Sequence, residues 1–156
     1  MMKTNFIKKA AMLTAVVGTL ILSSAFITKE SKTKTNDREE YIYLVAYGRS
    51  TNNSTDTYIS DIIKYEGFDK CGDKLDFYRE AGRRFMADIE KSNTININEW
   101  KIAYHDGNGY SRDYPDGYFK GYDSRSDAFD ARNNQIESRK ADDLKTYRTY
   151  FSYKCN

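Results

Sequence analysis

Residues 41–47 read YIYLVAY. In an extended chain the side chains alternate between faces, so Ile42, Leu44 and Ala46 share one side and Tyr41, Tyr43, Val45 and Tyr47 the other. Neither side carries a charge, and a strand that is apolar on both faces suits the middle of a sheet.

Working outward, residues 48–56 (GRSTNNSTD) are a run of turn formers that joins this strand to a second one over 57–65 as a long-looped hairpin. The sequons at Asn52 and Asn53 matter only in a host that glycosylates. Asp73 is a good helix N-cap with Asp76 in the first turn, and Leu75, Tyr78, Ala81, Phe85 and Ile89 recur at helical spacing, which predicts a helix over 74–91. Trp100, Ile102 and Tyr104 alternate with Glu99, Lys101 and Ala103 as a third strand. Residues 106–117 (DGNGYSRDYPDG) are a loop, and 117–122 are either a short strand or the approach to a second helix. That helix is expected over 126–142, capped by Ser124 or Ser126, with Ala128, Phe129 and Ile136 toward the core.

The last stretch, 145–156 (KTYRTYFSYKCN), alternates again. Tyr147, Thr149, Phe151, Tyr153 and Cys155 fall on its inner side, and Thr146, Arg148, Tyr150, Ser152 and Lys154 on its outer side. The order of elements predicts an α+β domain: an antiparallel sheet of about four strands with both helices packed on one face, in two strand-helix-strand halves for which a ferredoxin-like layering is one arrangement.

The beginning of the chain reads differently. Residues 1–9 hold Lys3, Lys8 and Lys9 and no acid, residues 10–22 carry no charge, and Ser23, Ser24 and Ala25 supply small residues suited to cleavage. We read 1–25 as a secretory signal peptide, 26–39 as a charged flexible tether and 40–156 as a single domain. An uncleaved anchor is the rival reading. The apolar run is shorter than the roughly 20 residues that span a bilayer, so no stable membrane span is expected after cleavage. The product is expected to be periplasmic or secreted. In such an oxidising compartment an even pair of cysteines pairs, so Cys71 and Cys155 are expected to form a disulfide, worth about 4.5 kcal/mol in the chain-entropy model.

At 156 residues, 39% hydrophobic and 15% aromatic, the chain is long enough to bury a core. Its fourteen tyrosines all follow residue 40, a density that favours sheet. The formal charge of +2 falls to about −1 once the three leader lysines are removed. Without a basic excess no nucleic-acid partner is expected. Asp123, Arg125, Asp127, Asp130 and Arg132 mix both signs and read as a solvated face. Arg79, Arg83 and Arg84 do too, since Asp76 and Glu80 lie within pairing distance, with an anionic-polymer site as the alternative. Gly82 in their midst weakens the helix slightly.

His105 is the single histidine, and it shares a strand face with Lys101 rather than with Trp100 and Tyr104. A Ser/His/Asp hydrolysis would have to use it, yet no GxSxG or HExxH motif accompanies it, so it reads as a surface or loop residue. One histidine and two oxidised cysteines are too few for a zinc site. Asp106, Asn108, Asp113 and Asp116 invite a calcium reading. An EF-hand opening at Asp106 needs glycine at its sixth position and glutamate at its twelfth, and the chain has Ser111 and Gly117 there. Asx and glycine turns explain the same residues. No catalytic residue, metal or cofactor is assigned.

The tyrosines remain. Tyr41, Tyr43, Tyr58 and Tyr150, with Arg148 and Lys154 beside them, are expected on the sheet face turned away from the helices, as a surface suited to stacking on sugars or peptides. The plainer alternative is that they cover the open side of a small sheet. The leading expectation is an exported, non-enzymatic domain that binds a protein, peptide or glycan of the envelope, the extracellular space or a host, through that face or through its loops. The alternatives are a small secreted hydrolase or toxin using His105 and a secreted inhibitor or immunity-type protein.

Overall fold

The computed structural model of the chain describes residues 38–48, 56–93 and 95–155, all within one compact unit, Asn36–Asn156. The leader expected over 1–25, most of the 26–39 tether and the sequons at Asn52 and Asn53 lie outside the described residues. Among the described residues no helix is long and apolar enough to cross a membrane.

The fold is α+β. In chain order it runs β1 (Glu40–Gly48), β2 (Thr57–Ile59), β3 (Ile63–Tyr65), α1 (Phe68–Cys71), α2 (Lys74–Asn93), a 3-10 turn (Ile97–Glu99), β4 (Trp100–His105), β5 (Ser111–Arg112), α3 (Arg125–Ala141) and β6 (Thr146–Arg148). The sheet order is β5-β4-β1-β2-β6, with β3 also paired to β1. The 41–47 stretch is the central strand as expected, with β4 antiparallel on one side and β2 and β3 antiparallel on the other.

Three features of the predicted architecture are corrected. The sheet has six strands among the described residues rather than about four, and it is mixed, because β6 runs parallel to β2. The helices cover opposite faces rather than one. Ile42, Leu44 and Ala46 pack with Phe77, Tyr78, Ala81, Phe85 and Ile89 of α2, whereas Tyr43 and Val45 pack with Ala128 and Ile136 of α3. The cause is in β1 itself: a strand apolar on both sides needs a layer over each. Finally, the 57–65 strand is broken at Ser60–Ile62. Ser60 Oγ accepts from Leu44 N at 2.9 Å and donates to Asp61 O at 2.7 Å, so a side chain replaces one rung of the ladder and the chain bulges there.

Local signals explain the helices. Asp73 caps α2 by accepting from Leu75 N (2.9 Å) and Asp76 N (3.1 Å). Ser124 rather than Ser126 caps α3, accepting from Asp127 N at 3.1 Å. The buried row of α3 is Ala128, Arg132 and Ile136, spaced four apart. Phe129, expected in the core, is instead exposed. Arg132, expected in solvent, lies only 7% exposed.

Only Thr146–Arg148 of the final stretch joins the ladder, but its alternation persists to Cys155. Phe151 packs on Phe85 and Tyr153 on Phe77, with ring centroids 5.3 and 5.0 Å apart. Cys155 then bonds to Cys71, with Cα atoms 4.8 Å apart across 84 residues of sequence. Tyr147, assigned to the inner side, is the exception: it is exposed on one face and stacks on Tyr58 with the other. Gly82 is where α2 crosses β4, and a Cβ there would land on the Tyr104 hydroxyl, so a residue that weakens the helix is required by its neighbour.

Candidate functional site

The loop between β4 and α3, residues 106–122, is held rigid from within. Asp106 is fully buried. Its Oδ1 accepts from Asn108 N (3.0 Å) and Tyr110 N (2.9 Å), and its Oδ2 accepts from Arg112 Nε at 3.1 Å. Arg112 Nη1 continues to Asp116 Oδ2 at 3.2 Å, and Asp116 Oδ1 accepts from Tyr118 N at 2.9 Å. Of the carboxylates that invited a calcium reading, Asp106 and Asp116 are therefore engaged as turn formers. Among the described residues no group of three or more His, Cys, Asp or Glu side chains is placed to hold a metal ion. Pro115 is buried, and Phe119 is an apolar anchor against Tyr78, ring centroids 5.2 Å apart.

The neck of the loop is equally tight. Gly107 N donates to Lys120 O (2.8 Å), and Tyr41 and Tyr122 exchange both backbone hydrogen bonds (3.0 and 2.7 Å). Gly121 N donates to Glu40 Oε2 at 2.8 Å. That buried carboxylate also accepts from Tyr78 Oη (3.1 Å) and pairs with Lys74 Nζ (2.9 Å). Burial and, next, the Glu40 charge push the Tyr78 hydroxyl well above the ordinary tyrosine range. A Cβ on Gly107 would sit 2.6 Å from Gly121 O, and one on Gly121 would sit 2.9 Å from the Glu40 Cβ. Neither position accepts a side chain.

From this frame three tyrosines project into solvent: Tyr110, Tyr114 and, 85% exposed, Tyr118. The Arg79 guanidinium lies 4.5 Å over the Tyr114 ring and donates to Pro115 O at 3.5 Å. Tyr47 Oη donates to Asp113 Oδ1 at 3.2 Å, which ties the loop to the end of β1. The backbone beneath the rings is thus already ordered, and a tyrosine has only two side-chain torsions to fix on contact.

The residues expected to form a binding face do not share one. Tyr43 is only 2% exposed, under α3. Tyr58 is buried in the α2-side core against Trp100. Tyr41 is partly buried at the neck of the loop. The face expected to be open is closed by α3, which is the reason. Only Arg148 and Tyr150 remain together at the surface, and Tyr150 is 99% exposed.

His105 takes the face that alternation predicts, beside Tyr43, and it is partly rather than fully exposed there. Its ring stacks on Tyr43 with centroids 4.7 Å apart, and its Nε2 lies 3.4 Å from Gln135 Nε2. Burial pulls its pKa down to about 4, against a smaller opposing pull from the Asp106 charge. The ring is neutral at pH 7. The Asp106 carboxylate is spent on the loop instead of on the imidazole. The arginines of α2 are likewise committed: Glu80 pairs with both Arg83 (2.7 Å) and Arg84 (2.6 Å), which hold its carboxyl down to about 2, and Asp76 pairs with Arg79 (3.0 Å).

Two groups escaped the reading of the sequence, and each had a signal. Tyr110, Tyr114, Tyr118 and Tyr122 recur every four residues through a stretch of turn formers, where strand propensity cannot account for aromatic residues. Arg132 falls in the helical row of Ala128 and Ile136. Neither a protein-family model, nor a curated protein, nor a solved structure matches this chain.

Proposed function

We propose that the protein is an exported, non-enzymatic binding domain whose contact surface is the loop bearing Tyr110, Tyr114 and Tyr118. One observation carries the reading: three tyrosine rings stand in water on a loop whose backbone is fixed from within by Asp106, Arg112 and Asp116. Exposed rings add nothing to the core, whereas rings on an ordered backbone bind with little loss of conformational entropy. The disulfide is compatible with an oxidising compartment, which favours export. The partner is a protein, peptide or glycan of the envelope, the extracellular space or a host, met by stacking on the rings and by hydrogen bonds to their hydroxyls and to the neighbouring Asn108 and Asp113.

The test is retention of the purified protein on the native envelope fraction and on extracellular material from the producing culture. Tyr110→Ser with Tyr118→Ser is expected to cut retention at least tenfold while the melting temperature stays within a few degrees. Undiminished retention on every fraction that holds the unsubstituted protein would overturn the proposal.

A further inference from the structure

A second surface lies away from the loop. The bulge at Ser60–Ile62 turns Asp61 out of the ladder, α3 passes beside it, and the chain leaving β6 closes the third side. Between them is a depression of about 240 Å³ lined by Asp61, Arg132, Arg148, Thr149 and Tyr150.

Its floor is an arginine held in place. Arg132 Nη1 donates to Ser60 O (3.2 Å) and to Asp61 Oδ1 (2.9 Å), and its guanidinium lies 5.2 Å over the Phe129 ring. Arg132 Nε is buried and finds no acceptor among the described residues. A buried guanidinium donor left without an acceptor is unfavourable, and a bound acceptor would relieve it. Arg148 adds a second guanidinium at the rim, and among the described residues it has no ion pair. Arg132 is balanced by Asp61, so Arg148 leaves the dent with one unbalanced positive charge, which an entering anion offsets. Guanidinium groups present paired N–H donors that match the two oxygens of a carboxylate. Tyr150 stands beside them almost fully exposed, its ring free to cover a flat apolar group.

We infer that this depression is a binding site for an organic carboxylate, whose oxygens lie between Arg132 and Arg148 and whose apolar body rests on Tyr150. Its size suits one side group or one chain end. The carboxylate belongs either to a free small molecule or to the end of a peptide. The site is separate from the tyrosine loop and does not depend on it.

The probes are N-acetyl-phenylalanine, its C-terminal amide, a tetrapeptide ending in phenylalanine and inorganic phosphate, each titrated into the full chain with amide and arginine Nε–H resonances followed by NMR. N-acetyl-phenylalanine is expected to move the Thr149 and Tyr150 amides and the Arg132 Nε–H saturably, and the amide to bind at least tenfold more weakly. Arg148→Gln, an exposed change, is expected to weaken binding about tenfold with the melting temperature unchanged. Arg132→Lys keeps the charge and removes the fork, and a similar loss is expected from it. Tyr110→Ser with Tyr118→Ser should leave the titration unaltered, so the failure of one site is distinguishable from the failure of the other. Tighter binding of the tetrapeptide than of the single residue assigns a peptide end, and the reverse order assigns a free molecule; both support the site. Equal response to acid and amide, phosphate binding more tightly than the carboxylate, or no saturable response would overturn the inference.

Discussion

The two faces of the central strand are built from different materials. On the α2 side, Ile42, Leu44 and Ala46 meet Phe77, Tyr78, Phe85 and Ile89, Phe119 packs edge to face with Tyr78 and Tyr104, the Tyr65 ring lies tilted against Phe77 and Tyr78, and the disulfide with Phe151 and Tyr153 closes the layer. On the α3 side the apolar set is smaller, with Ala103, Ala128 and Ile136 against Tyr43 and Val45, and it is shared with His105, Gln135 and Arg132. Buried polar atoms without a partner gather there as well: Arg132 Nε, Asn133 Oδ1 and Gln135 Oε1 all belong to α3. One face carries the stability of the domain. The other gives up part of its stability to polar side chains, and it is the face next to the arginine-lined depression.

The contrast can be broken from the strong side first. Phe85→Ala is expected to cost about 4 kcal/mol in denaturant unfolding, as a fully buried ring removed from a packed core. Replacing both cysteines by serine follows at about 3 kcal/mol, read from the shift in urea midpoint. On the weak side Ile136→Ala is expected to cost only about 2 kcal/mol, the low end for such a truncation, because its apolar cluster is the smaller of the two and Ile136 lies at its edge, 8% exposed. A cost equal to that of Phe85→Ala would erase the distinction. Native-state hydrogen exchange sharpens it: amides of α3 are expected to exchange at least about tenfold faster than those of α2.

A further effect is a pH dependence. His105 is neutral and partly buried in the fold and titrates near about 4, against about 6.5 in the unfolded chain. Below pH 6.5 the unfolded state takes up the proton first, so stability is lost as pH falls from about 6.5 toward about 4, and the loss levels off below that. His105→Phe should remove this part of the slope. A constant difference in melting temperature between the two proteins from pH 7 to pH 4 would show that α3 does not seal the ring from water.

Much of this was legible in the sequence. Strand alternation placed Ile42, Leu44 and Ala46 opposite Tyr43 and Val45, Asp73 announced the start of α2, and the inner row of the last stretch ran correctly from Phe151 to Cys155. The position of α3 was not read, although β1 held the clue, because periodicity states which side of an element is buried and not which neighbour buries it. The candidate face failed for the same reason, since Tyr43 and Tyr58 belong to different layers. Arg148 and Tyr150 survived because the outer side of an edge segment needs no partner to be predicted. Arg132 was hidden by its charge, in a helix that is mostly polar. The Ser60–Ile62 bulge had a signal in Ser60 and Asp61, which interrupt a run of strand formers, but nothing in the sequence brings Arg132 and Arg148 to it, and the depression it opens was therefore out of reach.

The neck at Gly107 and Gly121 has a consequence for how this protein can change. The closest backbone approaches lie where the loop joins the sheet, Phe119 and Pro115 anchor the loop in the core, and the three projecting rings stand outside that core, with only the Arg79 guanidinium over Tyr114 and that of Arg112 near Tyr110. Substitutions at 110, 114 and 118 therefore leave the strands as they are, whereas a methyl group at 107 or 121 forces two backbones apart. The loop behaves as an exchangeable cartridge in a fixed socket, so its surface chemistry is free to diverge while the socket is constrained to glycine.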